Sequence, residues 1–364
     1  MGKLQALLKV LPQEFRQSFQ SFAPYYDKLQ EIRLRVGQPV LVYIEGEEHF
    51  LGPEGICDWK EPEGSKRTSN REERPQRAST RKTDAPSAQN APWILNREQM
   101  NACLEYMSSY SAYAFMEEMR QGFLTLPGGH RVGLCGKTVM DGDTIKTICN
   151  MNSANIRVAH EKKGCSDRWL SYLYENRIPC STLILSPPGC GKTTLLRDFI
   201  RQLSNGNFHG KGVTVSVIDE RSEIAACYQG IPQNEVGIRT DVLDCCKKAA
   251  GMELVIRSMA PKVLAIDELG GEADVNALEQ VFHCGCKILA TVHGESLKHL
   301  EERPALKRLF RERWFERYIV LKGGSVGEVE GIYDQSFRCL TDNHRLHGNG
   351  SQPECLLEKT VSGA

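Results

Sequence analysis

The chain has 364 residues, 40% of them hydrophobic, and equal numbers of basic and acidic side chains leave no formal net charge. That length and apolar content allow two domains with real cores, while the neutral balance lacks the electrostatic signature of a dedicated nucleic-acid binder. No apolar run approaches the roughly 18 residues of a membrane span, and residues 4–10 are too short and interrupted for a secretory signal, so we expect a soluble, cytoplasmic protein that meets a membrane only through partners.

In chain order, residues 4–22 read as part of one amphipathic helix. Ile32, Leu34 and Val36 alternate with Arg33 and Arg35, the pattern of a strand with one wet face; 39–43 and 48–51 read as its partners, turning at Glu45-Gly46-Glu47. From about 52 to 91 the character changes. Lys60 to Lys82 holds eight basic and four acidic residues, mostly among Ser, Thr, Pro, Gly and Gln. Such a segment buries too little apolar area to offset its ordering entropy, so 52–91 reads as a disordered insertion, with a basic arm for nucleic acid or anionic lipid as the alternative. Asn96 is placed to cap a helix over 97–108, with Met100, Cys103, Leu104 and Met107 on one face. A second helix is expected over 112–119. Pro127-Gly128-Gly129 between alternating runs predicts a strand pair with a tight turn, and 145–150 and 153–158 read as further strands. Residues 1–160 thus read as a small α+β domain carrying an insertion.

An amphipathic helix within 161–180, built on Trp169, Leu170, Tyr172 and Leu173, leads into the second domain, 161–335. Strands and helices then alternate to about 322, arguing for a mostly parallel, doubly wound sheet closed by a hairpin over 317–333. Residues 336–364 read as a flexible tail. The 14 cysteines include no C-x-x-C pair; they read as reduced thiols rather than a zinc site.

The chemistry concentrates in Ser186-Pro187-Pro188-Gly189-Cys190-Gly191-Lys192-Thr193-Thr194. An apolar run precedes it and a helical run follows, the strand–turn–helix context of a phosphate loop. Glycines let several backbone N–H groups converge, and the helix adds its positive end. Lys192 is placed for the terminal phosphates and Thr193 for Mg²⁺, so the expected ligand is ATP with Mg²⁺. Ser186 stands where the strict pattern has Gly. Cys190 lies inside the loop, where alkylation would block nucleotide entry.

Further along, Val263-Leu264-Ala265-Ile266 ends in Asp267-Glu268, 75 residues after Lys192. A buried parallel strand ending there brings Asp267 to the Mg²⁺ hydration shell and Glu268 to the attacking water. A second acid-ended strand, 213–219, delivers Glu220 and Glu223 to the same rim, either of which rivals Glu268 as base. Thr291 and His293 end a third strand, where a polar residue senses the γ-phosphate. Arg239, Arg257 and, in the first domain, Arg131 and Arg157 are expected near this rim and are candidates for an arginine acting from a neighbouring subunit.

These elements in this order resemble the type II and type IV secretion ATPases and, more closely, the stage III sporulation protein AA family. Glu31-Ile32-Arg33-Leu34-Arg35, Pro127-Gly128-Gly129-His130-Arg131-Val132-Gly133, Gly237-Ile238-Arg239-Thr240-Asp241 and Ile256-Arg257-Ser258-Met259-Ala260-Pro261 carry the likeness, which spans roughly 25–335 apart from 52–91. The resemblance implies a P-loop NTPase with a RecA-like or AAA+-type core behind a small α+β domain. It further implies a cytoplasmic ATPase on the mother-cell side that self-associates into a ring, a hexamer, and powers a channel to the forespore with membrane-protein partners. A nucleic-acid-dependent ATPase on the same core is the alternative, and a nucleotide-gated scaffold with negligible turnover a third.

Overall fold

A computed structural model of the chain describes residues 3–20, 23–57, 91–108 and 122–341. Two compact units emerge, one spanning Met1–Lys162 with Ala225–Glu235, the other Lys163–Ile224 with Val236–Ala364.

The first unit opens with α1 (Lys3–Lys9) and α2 (Gln13–Gln20) instead of one continuous helix. Pro12 lacks the N–H needed to extend α1, while its carbonyl accepts from the N–H groups of Phe15 and Arg16 to start α2. An antiparallel sheet follows, built from β1 (Leu29–Arg35), β2 (Leu41–Ile44), β3 (Glu47–Gly52) and β4 (Gly55–Cys57), then, after α3 (Arg97–Met107), β5 (Phe123–Thr125), β6 (Arg131–Asp141) and β7 (Thr144–Arg157). Their order is β4-β3-β2-β1-β7-β6-β5. Asn96 caps α3 as its position predicts: its side chain accepts from Gln99 N–H at 2.8 Å, and the Gln99 side chain accepts from Asn96 N–H at 3.0 Å. One sheet face buries Ile32, Leu34, Val132 and Ile156 against Leu7, Phe15, Phe19 and Met100.

Three expectations change here. Strand β4 is ordered pairing inside the stretch expected to lack structure; 58–90, and the helix expected at 112–119, lie outside the described residues. The two strands expected over 145–158 are one, β7, because pairing with β6 continues through register shifts that absorb the interruption, near Asn150 at φ 47°. Segment 225–235, expected in the second domain, belongs to the first unit. The turn before β6 holds it: Gly128 N–H donates to the Gln233 side chain at 2.8 Å, and Lys3 Nζ donates to Asn234 Oδ1 at 3.1 Å. His130, fully buried, donates from Nε2 to the Lys3 carbonyl at 2.9 Å and accepts Ala159 N–H on Nδ1 at 3.1 Å. Burial drives its pKa down to about 4, so the ring stays neutral.

In the second unit the helix expected over 161–180 is only a 3₁₀ turn, Asp167–Leu173, leading into a hairpin of β8 (Tyr174–Glu175) and β9 (Ile178–Pro179). Asn176 and Arg177 take positive φ and turn the chain back, and the turn buries only Leu170 and Leu173. Then come β10 (Thr182–Ser186), α4 (Lys192–Asn205), the hairpin β11 (Gly206–Asn207) and β12 (Gly210–Lys211), β13 (Val215–Asp219), β14 (Thr240–Asp244), α5 (Lys248–Met259), β15 (Val263–Ile266), α6 (Glu272–His283), β16 (Lys287–His293), α7 (Leu297–Glu302), α8 (Pro304–Arg311), β17 (Arg317–Leu321) and β18 (Val329–Asp334).

The main sheet runs β14-β13-β15-β16-β10-β17-β18, parallel except for the antiparallel edge strand β18. Its strands are near-continuous apolar runs because helices cover both faces. Helices α5, α6 and α8 share one cluster with Leu183, Leu185, Leu264, Ile266 and Val292. The alternate strand residues face the other way, toward α4, which buries Leu195, Leu196, Phe199 and Leu203 outside that cluster. The fold also continues past the expected boundary at 335: Phe337 stacks on Phe310 at 4.2 Å between ring centroids, and Leu340 N–H donates to the Ile332 carbonyl. Residues 342–364 lie outside the described residues.

Candidate functional site

The parallel register decides where the polar residues end. Ser186 of β10 pairs with His293 of β16, and Ile266 of β15 pairs with Ala290, so Asp267 emerges one step beyond. Strand β16 lies between β10 and β15, and the residues expected to act together leave the sheet at one carboxyl edge. This is the edge where open α/β sheets take ligands.

The loop 186–194 opens directly into α4. Gly191 adopts φ 86°, a left-handed conformation that costs a side chain about 1–2 kcal/mol, and an added Cβ would meet Val326 Cγ1 and Gly327 N at 3.2 Å. The β17–β18 turn braces the loop through Gly327 N–H, which donates to the Cys190 carbonyl at 2.8 Å. Ser186 is buried, and its hydroxyl donates to the Pro187 carbonyl at 2.5 Å; the departure from Gly is absorbed locally. Cys190 is also buried, its thiol directed at the Pro188 carbonyl at 3.7 Å. Lys192, the first residue of α4, is half-buried and forms no ion pair with any described residue. An uncompensated ammonium at a helix N-terminus, behind a glycine turn, fits an anion.

Asp267 is held by two hydroxyls. Thr193 Oγ1 donates to Oδ2 at 3.0 Å, and Thr291 Oγ1 donates to Oδ1 at 2.5 Å. Thr291 is fully buried and also accepts Glu268 N–H at 2.8 Å, while its carbonyl accepts Leu269 N–H at 2.8 Å. These bonds pin a strained turn, since Glu268 is a non-glycine residue at φ 54°. The Glu268 carboxylate lies 3.2 Å from His293 Nε2 and 3.4 Å from Arg221 Nη1. His293 Nδ1 is buried without a partner among the described residues. A hydroxyl and a carboxylate 3.0 Å apart are hard oxygen donors of the kind Mg²⁺ takes.

The rival acids stand differently. Glu220 forms an ion pair with Lys248 of α5. Asp219 is buried and its carboxylate accepts the N–H groups of Glu223 and Ile224 at 2.8 and 2.9 Å, which shapes the turn after β13. Arg131 and Arg157 are cross-strand neighbours on the first unit's sheet; Arg131 lies over the Phe123 ring at 4.2 Å, and Arg157 Nε is 3.6 Å from Glu31. Arg239 is not at the carboxyl edge: it precedes β14 and its carbonyl accepts Val215 N–H at the opposite ends of the strands. Sequence reasoning missed Arg221 and Lys248, the cations that hold Glu268 and Glu220. Arg221 follows Asp219-Glu220 directly, but nothing in the spacing singles out Lys248.

Comparison with known proteins shows the family. A family model described as "Sporulation stage III, protein AA" matches residues 73–340. The chain is 35% identical over 340 residues to stage III sporulation protein AA of Bacillus subtilis, covering 93% of this chain and 97% of that protein. Among solved structures, the Legionella pneumophila ATPase DotB is 13% identical with a TM-score of 0.46, covering 86% of this chain and 78% of its own. The pilus retraction motor PilT, solved with ADP, is 14% identical with a TM-score of 0.49, covering 83% and 77%. The second unit is a mixed α/β fold whose mostly parallel sheet carries the glycine loop between β10 and α4, and the chain belongs to the stage III sporulation protein AA family.

Proposed function

We propose that the protein binds and hydrolyses ATP at the carboxyl edge of β10, β15 and β16, and works as a ring-forming motor at a membrane complex joining mother cell and forespore. One observation carries the reading: Lys192, Thr193, Asp267, Thr291, Glu268 and His293 meet at a single sheet edge, the last five in one continuous bonded network. In this reading the backbone of 186–194 wraps the phosphates and Lys192 takes the terminal ones. Thr193 would hold Mg²⁺ directly and Asp267 through its hydration shell. When bound, the ion neutralises charge on the β- and γ-phosphate oxygens.

Glu268 is the base we favour. Its carboxylate follows Asp267 directly and is aimed by Thr291, through the backbone, and by His293. It takes a proton from water as the water oxygen bonds to the γ-phosphorus and the bond to the β-phosphate oxygen breaks. His293, bonded to that carboxylate, transmits phosphate occupancy to β16. Glu220, paired with Lys248, then serves as a positioning group. Arg131 and Arg157 supply transition-state charge from a neighbouring copy in the ring. Docking is through membrane-protein partners; among the described residues no helix is long and apolar enough to cross a membrane.

Native mass measurement of the Glu268→Gln protein with ATP tests the assembly. A ring, expected as a hexamer, should form with ATP and persist. A protein that stays monomeric with ATP, alone and with the channel's membrane component, overturns the ring reading.

A further inference from the structure

At the opposite edge of the second unit's sheet, away from the proposed nucleotide site, an open cleft of about 590 Å³ is lined by Arg177, Asn205, Asn207, Phe208, Lys211 and Arg239, with no acidic residue in its lining. Arg177, Lys211 and Arg239 pair with no carboxylate among the described residues. Phe208 is 98% exposed at the tip of the β11–β12 hairpin, and Ile178 and Ile238, chain neighbours of Arg177 and Arg239, are 59% and 79% exposed. Phe208 is thus the one large apolar side chain of the lining, bare beside three cations.

The cleft is also built rather than frayed. Asn207 Nδ2 donates to Tyr174 Oη at 2.9 Å, and Asn207 Oδ1 accepts His209 N–H at 2.8 Å, fixing the hairpin against β8–β9. An added Cβ at Gly210 would lie 2.5 Å from the Tyr174 ring, so only glycine lets the two hairpins close. Arg239 Nη1 donates to the Ser204 carbonyl at 2.8 Å, anchoring the guanidinium at the wall, and Ile238 N–H donates to Asn205 Oδ1 at 2.9 Å.

We propose that this cleft docks a segment of a partner protein that carries carboxylates beside aliphatic or aromatic side chains. Charge complementarity selects the acid, and exposed Phe208 in the lining selects an apolar neighbour. A single-stranded nucleic acid needs successive aromatic platforms, and this lining offers one ring. An anionic bilayer is held by clusters of about four to eight Lys or Arg, and the lining has Arg177, Lys211 and Arg239 alone.

The test selects binders to the full-length protein from a displayed library of random short peptides, and measures synthetic copies by fluorescence anisotropy. Enriched sequences should combine Asp or Glu with Leu, Ile or Phe. Their affinity should fall about tenfold or more in Lys211→Glu and in Phe208→Ser, both exposed changes, with nucleotide binding retained. Lys192→Ala should leave peptide binding unchanged, separating this proposal from the nucleotide site. Selection of no peptides or of basic ones, affinity that survives both changes, or tighter Lys211-dependent binding of single-stranded DNA or phosphatidylglycerol vesicles would overturn it.

Discussion

Replacing Thr291 by Val keeps the volume and branching of a fully buried side chain and deletes only its hydroxyl. Two bonds disappear together: the 2.5 Å donation to Asp267 and the 2.8 Å acceptance from Glu268 N–H. A hydrogen bond to a charged group contributes about 1.5–3 kcal/mol, and a buried N–H left without a partner costs about 1–3 kcal/mol. Relief of the Glu268 backbone, whose φ of 54° stores about 1–3 kcal/mol, returns part of that. We therefore expect a net destabilisation of about 3 kcal/mol in the second unit. Freed from its anchor, Glu268 should drift, and a displacement near 1 Å costs on the order of 100-fold in turnover. Scanning calorimetry with and without ATP identifies the nucleotide-linked transition, and phosphate release reads turnover. Thr291→Ser should retain both properties. A Val variant within about 0.5 kcal/mol of the parent and equally active would refute the claim that Thr291 organises Asp267 and Glu268.

Lys192→Ala should abolish ATP binding by fluorescent-nucleotide titration while leaving the circular dichroism spectrum unchanged; retained high affinity would remove Lys192 from the site. Maleimide should inactivate the protein slowly, because Cys190 is buried, and Cys190→Ser should resist; loss that persists in that variant points to another thiol. The first unit should lose stability as pH falls. His130 has a folded pKa near 4 against 6.5 unfolded, so protons bind the unfolded chain first. At ~1.36 kcal/mol per unit this amounts to about 3 kcal/mol, absent above 6.5 and developing in full by about pH 4. Urea midpoints of the parent and His130→Gln across that range measure it, and equal slopes would contradict the assignment.

The apolar strands of the second unit were legible because each ends in its chemistry. Ser186, Asp267 and His293 close buried runs, and parallel register then brings them to one edge. The amphipathic pattern of α3, with Asn96 as its cap, also reads correctly, whereas those over 4–22 and 161–180 do not. What escaped were features set by distant partners. The turn after Gly164 reads as helix until Asp198 is seen holding Ser166 through its N–H and hydroxyl, at 2.9 and 2.7 Å. Segment 225–235 looks like an ordinary connection within the second domain, and only the Gly128–Gln233 and Lys3–Asn234 bonds assign it to the first unit. Lys248 lies 28 residues from Glu220, beyond any local spacing rule. Arg239 was misplaced because a charge before a strand and a charge after one look alike until direction is fixed.

The most direct measurement is ATP affinity and phosphate release, determined together for Glu268→Gln. The substitution is nearly isosteric and removes only the proton-accepting oxygen. ATP should bind within a few-fold of the parent while phosphate release falls by about 100-fold or more. Undiminished release from that variant would contradict the assignment of Glu268 as the base and, with it, the catalytic reading of the β10–β15–β16 edge.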